Sequence, residues 1–522
     1  MVYIQALFLT LAFLTVYYLI IPIINYIRDP KGLRKYPNLT IWSGFSDLPL
    51  IYESHYGRRS HTMLKAHEKH PVLRIGPNAL SYSDPAAIKD IYGHGTKCTK
   101  DVFYSKLSGT HFHLADVVDK EEHARKRKVL SSAYAIKNLE NWEYKVADMT
   151  ERIIKAFDER CTDPLPDGQI PDSKDLTIDY RMWTNLYTVA AIANIGLNED
   201  LRFLDQGSDL VTSEAKDGTV KKVRFRECLS ANASVTSTLI WAYEWYETFT
   251  RVSKIVSSTY RQKWGLAKDW DGIVHNRATS RWKRYEKGES LDDFFSALME
   301  DKSGAPNNLE WGEIEAEVSI MMNAGSDTTG IALSNVLLLL LKNPKCLKTL
   351  REEVDGVLEE DDKIAPYDKV KHLPYLRACL DECMRMYPPV SFHVPRRTPP
   401  EGATIRGEFV AGETSVGISA YVVHRNKEIF PEPESFKPER WLGDAGKNLQ
   451  PYFVAFSAGA RGCIGRNISY LEQTVLLASL VRRFEFSLPS PSWEPVRRET
   501  TNLSSGPMPM KIWKRPIGAV DV

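Results

Sequence analysis

The sequence predicts a mainly α-helical protein with a minor β-sheet region, on three observations. Apolar residues recur at helical spacing over most of the chain. Only a few short runs bounded by glycine, proline and asparagine read as strands. The longest helical pattern, residues 311–342, is apolar almost all round in its second half, as befits a helix buried on every side. The chain has 522 residues, 43% hydrophobic and 26% charged, enough for a large core. A net charge of only +1 provides no global field for nucleic acid.

Residues 1–26 carry no charge, and residues 6–24 are almost wholly apolar, long enough to cross a bilayer as a helix. A cleaved secretory signal would need a basic start and a small-residue cleavage site, and neither is evident. Arg28, Lys31, Arg34 and Lys35 follow, which by the positive-inside rule leaves the bulk of the chain in the cytosol. The expectation is an anchor over residues 1–27, a basic, proline-bearing linker over 28–45 and one globular domain over 46–522. In a eukaryote this is a single-pass protein of the endoplasmic reticulum membrane. The N-glycosylation sequons at Asn38, Asn232, Asn467 and Asn502 are inert in that orientation.

Further along, residues 72–76 and 79–82 form two strands around the Gly76-Pro77-Asn78 turn. Residues 122–134 make a basic helix, and residues 141–157, 180–195 and 234–264 are helical. Residues 374–386 form a helix ending at Pro388-Pro389, and residues 467–483 another. The tail, residues 498–516, has hairpin chemistry. The seven cysteines lack the spacing of a disulfide framework. Cys379 and Cys383, four apart on a helix, are best explained as core thiols.

The seventh cysteine is different. Cys463 lies in Phe456-Ser457-Ala458-Gly459-Ala460-Arg461-Gly462-Cys463-Ile464-Gly465. A zinc site would need further cysteines or histidines at short spacing, and none is near. A cysteine nucleophile would want a histidine base, which the sequence leaves open. A haem thiolate accounts for the neighbours as well: Gly459 for a tight turn, Arg461 for a propionate, Phe456 over the sulfur, and Gly465 for close backbone approach. Within residues 311–342, Ala324-Gly325-Ser326-Asp327-Thr328-Thr329 places glycine and two threonines mid-helix. Threonine hydroxyls there can bond to the preceding turn and open the ladder, making room for a small molecule.

Residues 456–465 resemble the F-x-x-G-x-R-x-C-x-G signature of cytochrome P450 enzymes at every fixed position, and residues 324–329 resemble the family's A-G-x-D-T-T pattern. The resemblance implies the cytochrome P450 fold behind an N-terminal transmembrane helix, with residues 46–522 as a haem-thiolate catalytic domain. It implies haem b (iron protoporphyrin IX) with Cys463 as axial iron ligand, and dioxygen as co-substrate. Asp327 and Thr328 become the acid–alcohol pair that relays protons. Glu382-Cys383-Met384-Arg385 matches the family's E-x-x-R, and Arg440 in Pro438-Glu439-Arg440-Trp441 its partner, a structural set that holds the cysteine loop. His123 and Arg127 take the family's tryptophan and arginine positions toward a propionate, and Arg396 matches a later propionate arginine. Histidine stands where tryptophan is usual; both donate a hydrogen bond.

No Walker loop and no G-x-G-x-x-G after a strand is found, so electrons must come from a separate protein. With a membrane anchor the resemblance implies the NADPH–cytochrome P450 reductase, docking on Lys120, Arg125, Lys126 and Lys128. The implied substrate pocket includes Phe112, His113, Ala324, Phe392, His393 and Leu503. Tyr92-Gly93-His94-Gly95 and His123 are similar to a fungal branch whose members tailor secondary metabolites or hydroxylate aromatic acids. The leading expectation is a monooxygenase of a lipophilic small molecule, such as a secondary metabolite. The rivals are a hydroxylase of an aromatic acid or xenobiotic, a haem-thiolate isomerase or dehydratase, and a haem-binding protein without turnover. The acid–alcohol pair counts against the isomerase and dehydratase.

Overall fold

The computed structural model describes Gln5, Ala12 and residues 15–516, apart from Ser108, Thr110, Ser132, residues 136–139, Asp167 and Leu291. Part of the expected membrane span, residues 1–4, 6–11, 13 and 14, lies outside the described residues. Its end does not: helix α1 (Ile21–Arg28) exposes Ile21, Ile23, Ile24 and Ile27. The linker after it is docked. The Tyr26 ring packs on Phe45 at 4.2 Å between centroids, with Arg34 and Arg74 over it. Gly44 makes room for that ring, since a Cβ there would come within 2.4 Å of it. Lys31 Nζ donates to Asn78 Oδ1 at 2.9 Å, and Leu33 and Tyr36 are buried.

Strands β1 (Val72–Gly76) and β2 (Ala79–Tyr82) pair antiparallel across the predicted turn. Beyond them come β3 (Thr99–Lys100) and helix α2 (Lys120–Ser131). Helix α3 (Tyr180–Leu197) starts where the Asp179 side chain accepts from Met182 N, and is buried almost throughout. The single helix expected over residues 234–264 is broken into Phe225–Leu239, a 3₁₀ segment with a kink at Ala242, Tyr246–Val256 and Ser258–Glu286. Ser257 is extended and its hydroxyl caps the last of these, so the chain restarts there.

Helix α4 (Trp311–Lys342) is α-helical from end to end. It crosses α3 closely because Gly325 lies under Ile192, where a Cβ would come within 2.6 Å of the side chain. Among the described residues it alone is long and apolar enough to cross a membrane, and it is mostly buried inside the protein. Helix α5 (Pro374–Met386), strands β4 (Arg396–Arg397) and β5 (Ser415–Ile418), helix α6 (Arg466–Arg483) and the hairpin strands β6 (Arg497–Glu499) and β7 (Leu503–Ser505) follow. The main sheet has the order β1-β2-β5-β4-β3; β5 lies parallel to β2 and the other pairs are antiparallel. Its β3–β4 register sets Lys100 opposite Arg396. The fold is therefore mainly helical with small sheets.

Candidate active site

Residues 456–465 close into a tight loop in which Cys463 N donates to Phe456 O at 2.9 Å and Gly462 N to Gly459 O at 3.0 Å. Gly459 has φ +64°, and a Cβ there would lie 2.1 Å from Tyr92 O, so only glycine lets the loop rest on residues 92–93. Cys463 lies deep in the molecule, yet its surface is accessible, because it opens on a mainly apolar cavity of about 330 Å³. Burial pushes its thiol up; the N–H groups of Gly465 and Arg466 and the guanidinium groups of Arg127 and Arg466 pull the other way.

One rim of the cavity concentrates positive charge. Lys100 and Arg396 face each other across β3 and β4, and like charges directly opposite destabilise a sheet. Arg461, Arg127 and His123 approach the same place from the cysteine loop and α2, and Lys100, His123, Arg127 and Arg461 line the cavity. Burial, then Arg396, brings Arg461 down to about 10; burial, then Arg461 and Arg127, brings His123 down to about 4. Burial, then Arg396 and Arg461, holds Lys100 well below the usual lysine range. An anionic guest would offset the desolvation and mutual repulsion of this buried cluster.

These residues fit a haem. The sulfur opens on the cavity, the cations suit two propionates, and no side chain fills the space beside the sulfur at Gly465. A Cβ there would meet nothing closer than Cys463 Sγ and Tyr134, both at 4.0 Å. The cations also bind protein. Arg461 donates to the carbonyls of Val117, Val118 and Asp119, and Arg127 to Gly462 O at 2.8 Å. Arg396 donates to Pro395 O, lies over the Tyr92 ring and is not itself on the cavity wall.

Across the cavity, Ala324 and Thr328 line the wall, and Thr328 Oγ1 donates to Ala324 O at 2.8 Å. That bond forms without opening the helix, contrary to the expected break. Asp327 faces away. Its Oδ1 accepts from Arg181 Nη2 at 2.5 Å and its Oδ2 from Asn502 Nδ2 at 2.9 Å.

Five expected pocket residues lie off the cavity wall. Phe112 is 43% exposed, because Leu114 N binds Glu317 and His113 N binds Asp116, turning Leu114 and Ala115 inward instead. His113 sits 3.3 Å from Asp116, and burial with the nearby Lys100 and Lys126 takes it down to about 3. Phe392 and His393 both pack on Trp241, at 5.9 and 4.9 Å between centroids, so Pro389, Val390 and Val394 face the cavity in their place. Leu503 N donates to Pro389 O at 2.8 Å, one layer behind the wall. The expected docking face on α2 is also reduced. Lys126 is buried against Glu313 and Glu317, and Arg125 pairs with Glu122 and Glu313, leaving Lys120 and Lys128 exposed.

Glu382 is fully buried and accepts from Arg385 Nε and Nη2 (2.8 and 2.9 Å), Arg440 Nε (3.0 Å), Trp441 Nε1 (2.9 Å) and Lys437 N (3.1 Å). Arg385 also donates to His424 O, and His424 Nε2 accepts from Val454 N at the start of the cysteine loop. Trp441 packs on Phe453, and Phe453 on Phe456. Sequence reasoning missed Lys100, Arg181 and Asn502: their placement depends on strand register and long-range contact, and no local spacing signals it. Among the described residues no cluster has the makings of a separate metal site.

A family model described as Cytochrome P450 matches residues 49–512. The chain is 28% identical over 491 residues to the benzoate 4-monooxygenase bphA of Aspergillus niger, covering 92% of each chain. It is 30% identical over 472 residues to a cytochrome P450 monooxygenase of Aspergillus terreus, covering 85% of this chain and 89% of the other. It is 29% identical over 464 residues to the cytochrome P450 monooxygenase hepC of Aspergillus oryzae, covering 84% of each.

Proposed function

Because the chain belongs to the cytochrome P450 family, as an oxidoreductase of its monooxygenase type, we propose that it oxidises a lipophilic small molecule, a fungal secondary metabolite, with electrons from an NADPH-dependent reductase. The observation that carries this reading is Cys463 opening on an apolar cavity with a rim of buried cations and Thr328 opposite. Cys463 would bind the haem iron, Arg127, Arg461, Lys100 and His123 would hold the propionates, and Arg396 would add its charge from behind the wall. When bound, the haem supplies dioxygen activation, with the thiolate favouring O–O cleavage. Thr328 Oγ1 holds an exchangeable proton at the cavity wall, and Asp327, the next residue back, is the acid that would take a proton from solvent and return it to that hydroxyl. The apolar wall excludes water and orients a lipophilic guest. The Glu382–Arg385–Arg440 set holds the cysteine loop in place. Residues 1–27 anchor the protein in the endoplasmic reticulum membrane, and exposed Lys120 and Lys128 belong to the reductase face.

A second substrate class, aromatic acids, is favoured by the similarity to a benzoate 4-monooxygenase. Reduced protein under carbon monoxide is expected to give the thiolate-type difference spectrum, and Cys463→Ala to abolish it. With reductase, NADPH and dioxygen consumption is then followed across secondary metabolites and benzoates. Substrate-dependent consumption with either class selects between them; none with any would refute the monooxygenase assignment.

A further inference from the structure

Asn502-Leu503-Ser504, set aside in the sequence as an inert sequon, lies at the tip and return strand of the β6–β7 hairpin. Each of its residues has a distinct attachment. Asn502, only 8% exposed, donates through Nδ2 to Asp327 Oδ2 at 2.9 Å. Leu503 N donates to Pro389 O at 2.8 Å, and Pro389 lines the cavity. Ser504 Oγ accepts from Arg181 Nη2 at 3.4 Å, the same nitrogen that holds Asp327 Oδ1. Arg181 is fully buried and its Nε and Nη1 have no protein partner, so its guanidinium is held mainly by this carboxylate and this hydroxyl. Gly330 leaves it room, since a Cβ there would come within 3.2 Å of Nη1.

The other strand is fixed beside the turn, where Glu499 pairs with Leu503 in the ladder. Glu499 is buried and accepts from Ser60 N and Oγ at 2.8 Å each and from Arg59 Nη2 at 3.3 Å. Consecutive residues at this clamped turn thus join the cavity wall to the acid of α4. Resting on the monooxygenase reading above, we propose that Asn502 is a positioning residue for proton delivery. Through it, the position of the C-terminal hairpin against Pro389 decides whether the Asp327 carboxylate stays clasped away from the cavity or turns to serve Thr328. A guest that presses on the Pro389 wall moves Leu503, and with it Asn502, so proton supply follows occupancy. Once turned, the carboxylate takes a proton from solvent and passes it to Thr328 Oγ1 as that hydroxyl donates its own to the dioxygen co-substrate, which the reductase's electrons reduce.

Hydrogen exchange on the haem-loaded protein, with and without phenylimidazole filling the cavity, tests this without turnover. In the wild type, residues 499–505 and 324–330 are expected to respond together. In Asn502→Ala the hairpin alone should respond. NADPH consumption without a guest should rise roughly fivefold in that variant, the order of one lost hydrogen bond. The carbon monoxide spectrum and phenylimidazole affinity should be unchanged, and Asn502→Gln, which keeps the donor, should restore much of the coupling. A response of one segment without the other in the wild type overturns the proposal, even if the alanine variant fails to load haem. So does wild-type coupling in Asn502→Ala. A wild type without the thiolate-type spectrum fails the parent reading, and the proposal falls with it.

Discussion

Replacing Glu382 by glutamine removes one negative charge from a site with no solvent to compensate it. Glu382 and Arg385 are both fully buried, and five donors converge on the two carboxylate oxygens. Glutamine keeps the shape but leaves Arg385 as an uncompensated buried cation and sets an amide N–H against donors. Breaking a buried pair in this way costs about 3–5 kcal/mol. At about 4 kcal/mol the ratio of intact to disrupted network falls about a thousandfold. The loss should appear first at the cysteine loop, because Trp441 and His424 connect Glu382 and Arg385 to Phe453 and Val454. The assay is the haem-to-protein ratio after purification, with the denaturant midpoint of haem release. The expected outcome is mostly haem-free protein, and a midpoint shift of that size in what loads. A shift under about 1 kcal/mol, the worth of an exposed ion pair, with normal haem content would refute the reasoning.

Three further outcomes follow from the geometry. Gly459→Ala sets a Cβ 2.1 Å from Tyr92 O at a positive φ, so the haem-to-protein ratio should fall severely; normal loading would mean that the loop does not need this approach. Lys100→Met removes a charge-assisted bond from the cation rim, so haem transfer to apomyoglobin should quicken roughly tenfold to a hundredfold; an unchanged rate would place Lys100 outside the anion site. His424 is fully buried, with Nε2 accepting from Val454 N, and burial lowers it from 6.5 to about 3. The unfolded chain therefore binds the proton first as pH falls. The stability contribution is complete above pH 6.5 and is lost toward pH 3, by up to about 1.4 kcal/mol per unit. His424→Gln should flatten the acid limb of a stability profile, and an equal slope in both proteins would contradict the assignment. Asp116 and Glu317, both raised to about 7 by burial, tilt the profile the opposite way, so the comparison with the variant isolates the histidine.

What was legible in the sequence was local. The bounds of α4 and α5 follow from apolar spacing and from Pro374 at a helix start, and β1 and β2 from the turn between them. The cysteine loop announces itself because glycine, arginine and cysteine stand at fixed offsets in one segment. Orientation was not legible. Phe392 and His393 are attractive pocket residues by type, but Trp241, some 150 residues away, takes both rings. His113 and Phe112 are turned by Asp116 and Glu317. The breaks within residues 234–264, expected as one helix, were missed because the kink at Ala242 carries no proline or glycine. The confrontation of Lys100 with Arg396 exists only in strand register, and the clasp on Asp327 joins α3, α4 and the C-terminal hairpin, which no window on the sequence spans.

The docked linker bears on how the protein can be handled and how it stands. With Tyr26 held by Phe45, Arg34 and Arg74, and Leu33 and Tyr36 built into the core, the approach to the domain is a rod and not a rope. A truncation made at residue 40 to gain solubility would strip interior side chains as well as an apolar leader. A cut ahead of Tyr26 leaves them in place. On the proposed membrane anchor, the body would be carried at a set attitude, and a small change in the seat of Tyr26 would swing the whole domain as a lever does.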